Sequence, residues 1–339
     1  MAGRPSAKVT LRTIAEAAGV HPSTASRVLN SDESARVGDE TAERVRRVAA
    51  QLGYEPNPWA RSLRTNRTFM VGLIIPRLTD VVLAAMFEAA EDRARDHGYQ
   101  AVTLSTRDRP DEERRLVNLL LDRRVDGLIL ATSLLEDPLL DELEEQGVPF
   151  MLMNRCSGAH PAVRGDDELG GYLAAKHLLA QGHRRIGFAA GPFRVSTAVL
   201  RLDGYRRAHR EAGVDLDESL VVESSFAVEG GVTAGGKLLG LPEPPTAIFA
   251  VNDSTALGVM AAARDLGIRV PEDLALVGYN DSEIAGALPV PLSSVALPLE
   301  RIGRLAVDLL LERIAGAAHR TVVLPPRLMV RTSSGYRIH

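Results

Sequence analysis

From Met70 onward the chain repeats one pattern: a short apolar run, a break of glycine or polar residues, then a longer amphipathic stretch. Strand-like runs fall at residues 70–75, 100–105, 127–131, 150–154, 185–189, 220–224, 247–251 and 274–279. Helical periods lie between them, as at residues 82–97, 110–123 and 170–181. Strands separated by helices of this length pair in parallel, and a parallel sheet is covered on both faces. A further strand-like stretch follows at residues 322–332. With 339 residues and 45% hydrophobic content, the chain has apolar material for two or three folded units.

The first 56 residues obey a different period. Leu11, Ile14, Ala15 and Ala18 fall on one face of a short helix, and Ala25, Val28 and Leu29 on one face of another. Gly19 between them can take the positive φ that ends a helix, and Val20 can plug the gap. His21-Pro22-Ser23-Thr24 then restarts helix, with proline in the first turn and Ser or Thr as candidate caps. A third amphipathic helix, residues 34–54, turns Val45, Val48, Ala49 and Leu52 inward. This pattern fits a helix-turn-helix, and taken alone it equally fits a hairpin in an ordinary bundle. The outer side of the second helix carries Pro22, Ser23, Thr24, Ser26 and Arg27, polarity that suits the major groove of DNA.

Charge separates the two parts. Residues 1–68 hold 11 Lys and Arg against 7 Asp and Glu, so of the chain's 40 and 44 the remainder holds 29 against 37. The basic part is the part that carries the helix pair, as expected of a DNA reader. No apolar run approaches a membrane span and the start lacks an apolar signal core, so the expectation is a cytoplasmic protein without a membrane partner. A single cysteine, Cys156, excludes an internal disulfide and a multi-cysteine zinc site.

The motifs TIAEAAGV, STASRVLN, YEPN before ARSL, GHRRIG, NDSTALG and VGYND occur in this order along nearly the whole chain. In this the sequence resembles the LacI/GalR family of bacterial transcription regulators. The resemblance implies an all-α helix-turn-helix domain over residues 1–56 and a hinge over 57–67. A two-lobed α/β core of the periplasmic-binding-protein type I would follow over 68–339. Lobe 1 would span about 68–164 and lobe 2 about 165–294, with the last stretch crossing between lobes. Palindromic double-stranded operator DNA, a small sugar-like effector and a second copy of the chain are the partners it implies. The DNA contacts expected are Thr13, Pro22, Ser23, Thr24, Ser26, Arg27 and Asn30, with Ala60, Arg61, Leu63 and Arg64 in the hinge. Leu63 takes the position of a leucine wedge that enters the minor groove.

In parallel sheets ligands sit at the carboxyl ends of strands. Asn154-Arg155, Asp166-Asp167, Asn252-Asp253 and Asn280-Asp281 stand at or beside such ends. Arg201 and Phe226 match an arginine and an aromatic that relatives place on the effector. The effector set is therefore Arg155, Asp166, Arg201, Phe226, Asn252, Asp253, Asn280 and Asp281, with helix capping or turn closure the competing account of the Asp and Asn residues. The chain departs from the pattern in three places. Leu78-Thr79-Asp80-Val81-Val82 stands where relatives often carry an aromatic pair, Asn280 replaces a common aspartate, and Pro22 offers no side-chain donor.

Enzyme signatures are weak. Residues 231–237 have the glycine and lysine spacing of a phosphate loop, but Leu238 replaces the magnesium-holding hydroxyl, and a helix packing Val232, Leu238 and Leu239 fits the same letters. His177 and His183 lack metal-ligand spacing, and no Gly-x-Ser-x-Gly elbow occurs. No catalytic residue, metal or cofactor is expected. The competing class is a stand-alone ligand-binding or enzymatic α/β protein whose helical N-terminus serves association.

Overall fold

The computed structural model describes residues 9–29, 37–54, 67–107 and 109–335. The chain divides into two compact units, Met1–Phe69 and Met70–His339.

The first unit contains α1 (Leu11–Ala18), α2 (Pro22–Leu29) and α3 (Asp39–Gln51). Thr10 caps α1: its hydroxyl accepts from the Thr13 amide at 3.3 Å while the Thr13 hydroxyl accepts from the Thr10 amide at 3.4 Å. Gly19 ends α1 at φ 66°, a left-handed conformation that favours glycine. Ile14, Ala15, Ala18, Ala25, Val28, Ala42, Val45 and Ala49 form the core, with Val20 packed against it. The Arg44 guanidinium donates to the Ala18 carbonyl at 3.1 Å, satisfying one of the free acceptors at the end of α1.

The second unit holds two six-stranded sheets of matching strand order. In the first, β1 (Met70–Ile75), β2 (Gln100–Ser105), β3 (Gly127–Leu130), β4 (Phe150–Met153), β5 (Ala162–Gly165) and β11 (Val322–Leu324) run parallel in the order β11-β5-β4-β3-β1-β2. In the second, β6 (Ile186–Ala190), β7 (Val221–Glu223), β8 (Ala247–Ala250), β9 (Ala275–Asn280), β10 (Ser293–Ala296) and β12 (Arg327–Met329) take the order β12-β10-β9-β8-β6-β7. Here β12 alone is antiparallel, joining β10 with Val295 opposite Leu328. The helices are α4 (Val81–Asp96), α5 (Pro110–Asp122), α6 (Pro138–Glu145), α7 (Asp167–Ala180), α8 (Ser196–Glu211), α9 (Val228–Leu239), α10 (Asp253–Asp265), α11 (Glu283–Ala287) and α12 (Leu299–Ile314).

The expected α/β class holds, and its strand limits shift by a residue or so. Several features of the sequence reading need correction. The third helix starts only at Asp39, after Gly38, and Leu52 past its end is exposed rather than turned inward. The stretch 322–332 is two strands in different sheets, because Pro325 and Pro326 cannot donate to a ladder and mark the passage between lobes. The strand β5 went unread, being four residues long and ending in glycine.

The chain passes between sheets three times, after β5, after β10 and after β11. These crossings touch. A Cβ on Gly165 would lie 2.5 Å from Leu297 Cδ2, and the Asp166 amide donates to the Leu324 carbonyl at 2.9 Å. Close helix pairs cover the sheets. A Cβ on Gly204 of α8 would fall 1.9 Å from the Glu168 carbonyl oxygen on α7, and one on Gly231 of α9 would fall 2.0 Å from that of Thr255 on α10. Gly231 and Gly235 therefore serve the packing of α9 on α10, and the segment is helix rather than a phosphate loop.

Candidate functional sites

Both sheets reverse strand order beside their first strand, β1 against β2 and β3, and β6 against β7 and β8. Crevices form at the carboxyl ends of strands at such a switch point, and the two sheets turn theirs toward a common cleft of about 440 Å³. Pro76 and Arg77 enter it after β1, Thr106 after β2, Thr132 and Leu134 after β3, and Arg155 after β4. The second lobe supplies Pro192 and Arg194 after β6, Ser225 and Phe226 after β7, and Ser254 after β8. A smaller recess of about 40 Å³ shares Asp80, Leu83, Arg155 and Phe226 with the cleft and adds Asn154, Thr197, Arg201, Asn252 and Asn280.

Arg155 is buried, donates from Nη1 to the Thr132 carbonyl at 2.9 Å, and stands 6.0 Å from the Phe226 ring centroid. Phe226 is fixed from behind: Asn252 Nδ2 donates to its carbonyl at 2.9 Å, and a Cβ on Gly191 would lie 2.5 Å from the ring. Asn252 also caps α10 by accepting from the Thr255 amide at 2.7 Å, so one amide side chain orders both the helix start and the aromatic.

Arg201 forms the floor. Its Nε donates to Asp167 at 2.8 Å, Nη1 donates to the Val251 carbonyl at 2.5 Å, and the guanidinium lies 3.6 Å above the Tyr279 ring. Burial drives the Asp167 carboxyl up, and the Arg201 charge opposes that shift. A buried pair of this kind strongly penalises loss of either partner.

Of the expected effector residues, Arg155, Arg201, Phe226, Asn252 and Asn280 border the cleft or its recess. Asp166, Asp253 and Asp281 do not, and each has a structural occupation. Asp166 caps α7 through the Leu169 amide at 3.0 Å. Asp253 is buried, accepting from the Ser282 amide at 2.7 Å and the Ser294 hydroxyl at 2.6 Å. Asp281 accepts from Arg331 at 2.5 Å. Asn154 and Asn280 take φ of 71° and 95°, left-handed turns that asparagine tolerates.

Most of the cleft lining escaped the sequence reading, the charged residues Arg77, Asp80, Arg109, Glu113, Arg194 and Glu229 and the hydroxyl of Thr132 among it. Arg77 and Thr132 follow strands β1 and β3, and attention to every strand end would have found them. Asp80 accepts from the Val82 and Leu83 amides at 3.0 and 3.3 Å, capping α4 where an aromatic pair is missing. Glu113 carries no local signal, since it lies in the first turn of α5 and reaches the cleft through the fold. Burial pushes its carboxyl up to about 7, opposed by the hydrogen bond it accepts from Thr132.

The other candidate surface lies on α2. Pro22, Ser23 and Arg27 are exposed, Thr24 and Ser26 half-buried, while Ala25 and Val28 face the core. The start of α2 is held by an unexpected group: the Ser23 amide donates to His21 Nδ1 at 3.3 Å, and the Ser23 hydroxyl bonds the same ring nitrogen at 2.7 Å. Thr13 is exposed beside its capping partner Thr10. Asn30, Ala60, Arg61, Leu63 and Arg64 lie outside the described residues.

Among the described residues no three His, Cys, Asp or Glu side chains form a group able to hold a metal ion, and no helix is long and apolar enough to cross a membrane.

Comparison with known proteins gives concordant matches. Residues 10–57 match the bacterial regulatory proteins of the lacI family, and residues 175–334 match a periplasmic binding protein-like domain. The chain is 36% identical to the HTH-type transcriptional regulator DegA of Bacillus subtilis (strain 168) over 96% of its own length and 98% of that protein's. A solved complex of the transcriptional regulator CelR with cellobiose superposes with a TM-score of 0.74 at 36% identity, covering 96% of this chain and 99% of that one. The lac repressor dimer bound to operator and the anti-inducer ONPF superposes with a TM-score of 0.85 at 29% identity, covering 97% and 100%.

Proposed function

The chain belongs to the lacI family of bacterial regulatory proteins, and on that premise we propose that α2 reads operator DNA while the cleft between the lobes takes a small polar effector. It is a DNA-binding regulator of transcription, not an enzyme. The observation that carries the proposal is the pairing of two surfaces in one chain. One is a helix-turn-helix unit exposing Pro22, Ser23 and Arg27; the other is a two-lobed unit whose strand ends meet around Arg155 and Phe226.

Ser23 and Arg27 are the base-edge candidates, with Thr13, Thr24 and Ser26 closer to the backbone; residues 57–67 form the hinge, and Leu63 is its wedge. A single helix reads too few base pairs, so the protein works as a homodimer on a palindrome, inside the cytoplasm where the DNA is. The lac repressor structure holds a dimer on operator and the CelR structure holds cellobiose; a dimer on operator DNA follows the first, and a sugar-like effector for this chain is consistent with the second. Guanidinium, amide and aromatic groups in one cleft suit a polyhydroxylated ligand. Effector binding alters the relation of the lobes and, through it, the hinge; a coupling of about 1–3 kcal/mol is enough for such regulation. Fluorescence anisotropy of duplexes from the gene's upstream region, with and without sugars and sugar derivatives, tests both halves: one compound should shift duplex affinity at fixed salt.

A further inference from the structure

We propose that the effector of this cleft is an anionic polyhydroxy compound whose phosphate or carboxylate sits among Arg77, Arg109 and Arg194 at the mouth, while its carbon frame lies against Arg155 and Phe226. This rests on the reading of the cleft as the effector site.

Four arginines line the cleft, Arg77, Arg109, Arg155 and Arg194, against the acids Asp80, Glu113 and Glu229. The balance of sites is closer than the balance of available charge. Asp80 caps the α4 amides and, like the exposed Glu229, keeps its charge, so the shortfall of negative charge falls on the third acid. Glu113 is buried beneath Thr132, and with its carboxyl raised to about 7 it carries only part of a charge near neutral pH. Arg194, by contrast, is exposed and has no side-chain hydrogen bond or ion pair among the described residues. Its backbone is held nonetheless: the Arg194 carbonyl accepts from the Leu135 amide of the other lobe at 3.0 Å, which places this guanidinium at the junction of the two lobes. Arg109 is exposed on the lobe 1 side and, among the described residues, pairs only with Glu112, at 2.9 Å and one helical turn away.

Two further observations agree. Arg109, Val195 and Ala227 are the N-cap residues of α5, α8 and α9, all three border the cleft, and none caps its helix with a side-chain bond. The Glu112 and Ala198 amides turn back onto the Arg109 and Val195 carbonyls at 3.1 and 3.2 Å, and the helix dipoles add to the positive field of the cleft. Phe226 is the only aromatic among the lining residues described, so little aromatic surface is offered to the apolar faces of a neutral sugar. Guanidinium forks are matched to phosphate and carboxylate oxygens, and an anion bridging Arg109 and Arg194 would tie lobe 1 to lobe 2.

The test is calorimetric titration of the full chain at constant ionic strength with inorganic phosphate, gluconate, glucose 6-phosphate, glucose and cellobiose, repeated on Arg194→Ala, Arg109→Ala and Phe226→Ala. The expected result is binding of at least one anionic probe, weakened about 10-fold or more by Arg194→Ala or Arg109→Ala. Preference between gluconate and the phosphates identifies the anion. Binding of a neutral sugar that Phe226→Ala weakens and the arginine variants leave unchanged, with no anionic probe bound, overturns the anionic effector while leaving the cleft reading intact. An anion bound equally well by all variants overturns it also, and absence of any binding overturns both.

Discussion

The Arg155 guanidinium stands 6.0 Å from the centre of the Phe226 ring, and the two side chains come from opposite lobes. Arg155 is held by the Thr132 carbonyl in lobe 1, and Phe226 by Asn252 in lobe 2. A ligand entering here meets two groups already ordered on different lobes, so its binding energy depends on how the lobes are set. Phe226→Ala should therefore weaken effector binding about 5- to 30-fold, the range of a lost cation–π and packing contact. Operator affinity without effector should stay within about twofold. Paired calorimetric and anisotropy titrations distinguish this from a general loss of fold, in which both would fall.

Helix packing supplies a second prediction. At Gly204 an added methyl would sit 1.9 Å from the Glu168 carbonyl oxygen, against backbone that cannot rotate away. Gly204→Ala must push α8 off α7, and overpacking of this kind costs about 1–3 kcal/mol. The same displacement moves Arg201 relative to Asp167, so effector affinity should fall with stability. Urea midpoints read the first effect; a midpoint equal to the parent's contradicts the close packing.

Glu113 gives the chain a pH signature. Its folded value is raised from 4.5 to about 7 by burial, so the folded state holds a proton that the unfolded state has released across that window. The stability contributed by the neutral carboxyl is fully present below about pH 4.5 and is lost as pH rises through about 7, amounting to about 3 kcal/mol. Glu113→Gln keeps an acceptor for Thr132 without the charge. It should match the parent at pH 4.5 and exceed it in stability at pH 8, by urea unfolding at the two values. Parallel pH profiles for the two proteins would contradict the assignment.

On the DNA side, Arg27 is exposed on α2. If it contacts a phosphate, Arg27→Ala should weaken binding to all duplexes by a similar factor and reduce the salt slope by about 1; if it reads a base edge, it should relax specificity at one position. Leu63→Ala should weaken operator binding and leave effector binding unchanged.

The fold class was legible because parallel strands buried on both faces leave long apolar runs, as at residues 70–75 and 247–250, and because helices between them keep their period. What stayed hidden depended on the third dimension. Pro325-Pro326 breaks one apparent strand into two sheets, and β5 is too short to declare itself. Within the cleft, strand-end residues such as Arg155 and Asn252 could be named from position. The aspartates could not be sorted, because a cap at Asp166, a tie at Asp253 and an ion pair at Asp281 use the same letters as a ligand contact. Glu113 needed the helix to be docked before its place appeared.

The central claim is that a ligand in the Arg155–Phe226 cleft alters DNA binding elsewhere in the same chain. The most direct measurement is anisotropy of a palindromic duplex from the gene's upstream region, titrated at fixed salt with the compound that binds the cleft, for the parent and for Phe226→Ala. The account predicts that the compound changes duplex affinity about 5-fold or more in the parent and that the variant requires proportionally more of it for the same change. A duplex bound with an affinity indifferent to a compound that occupies the cleft would contradict it.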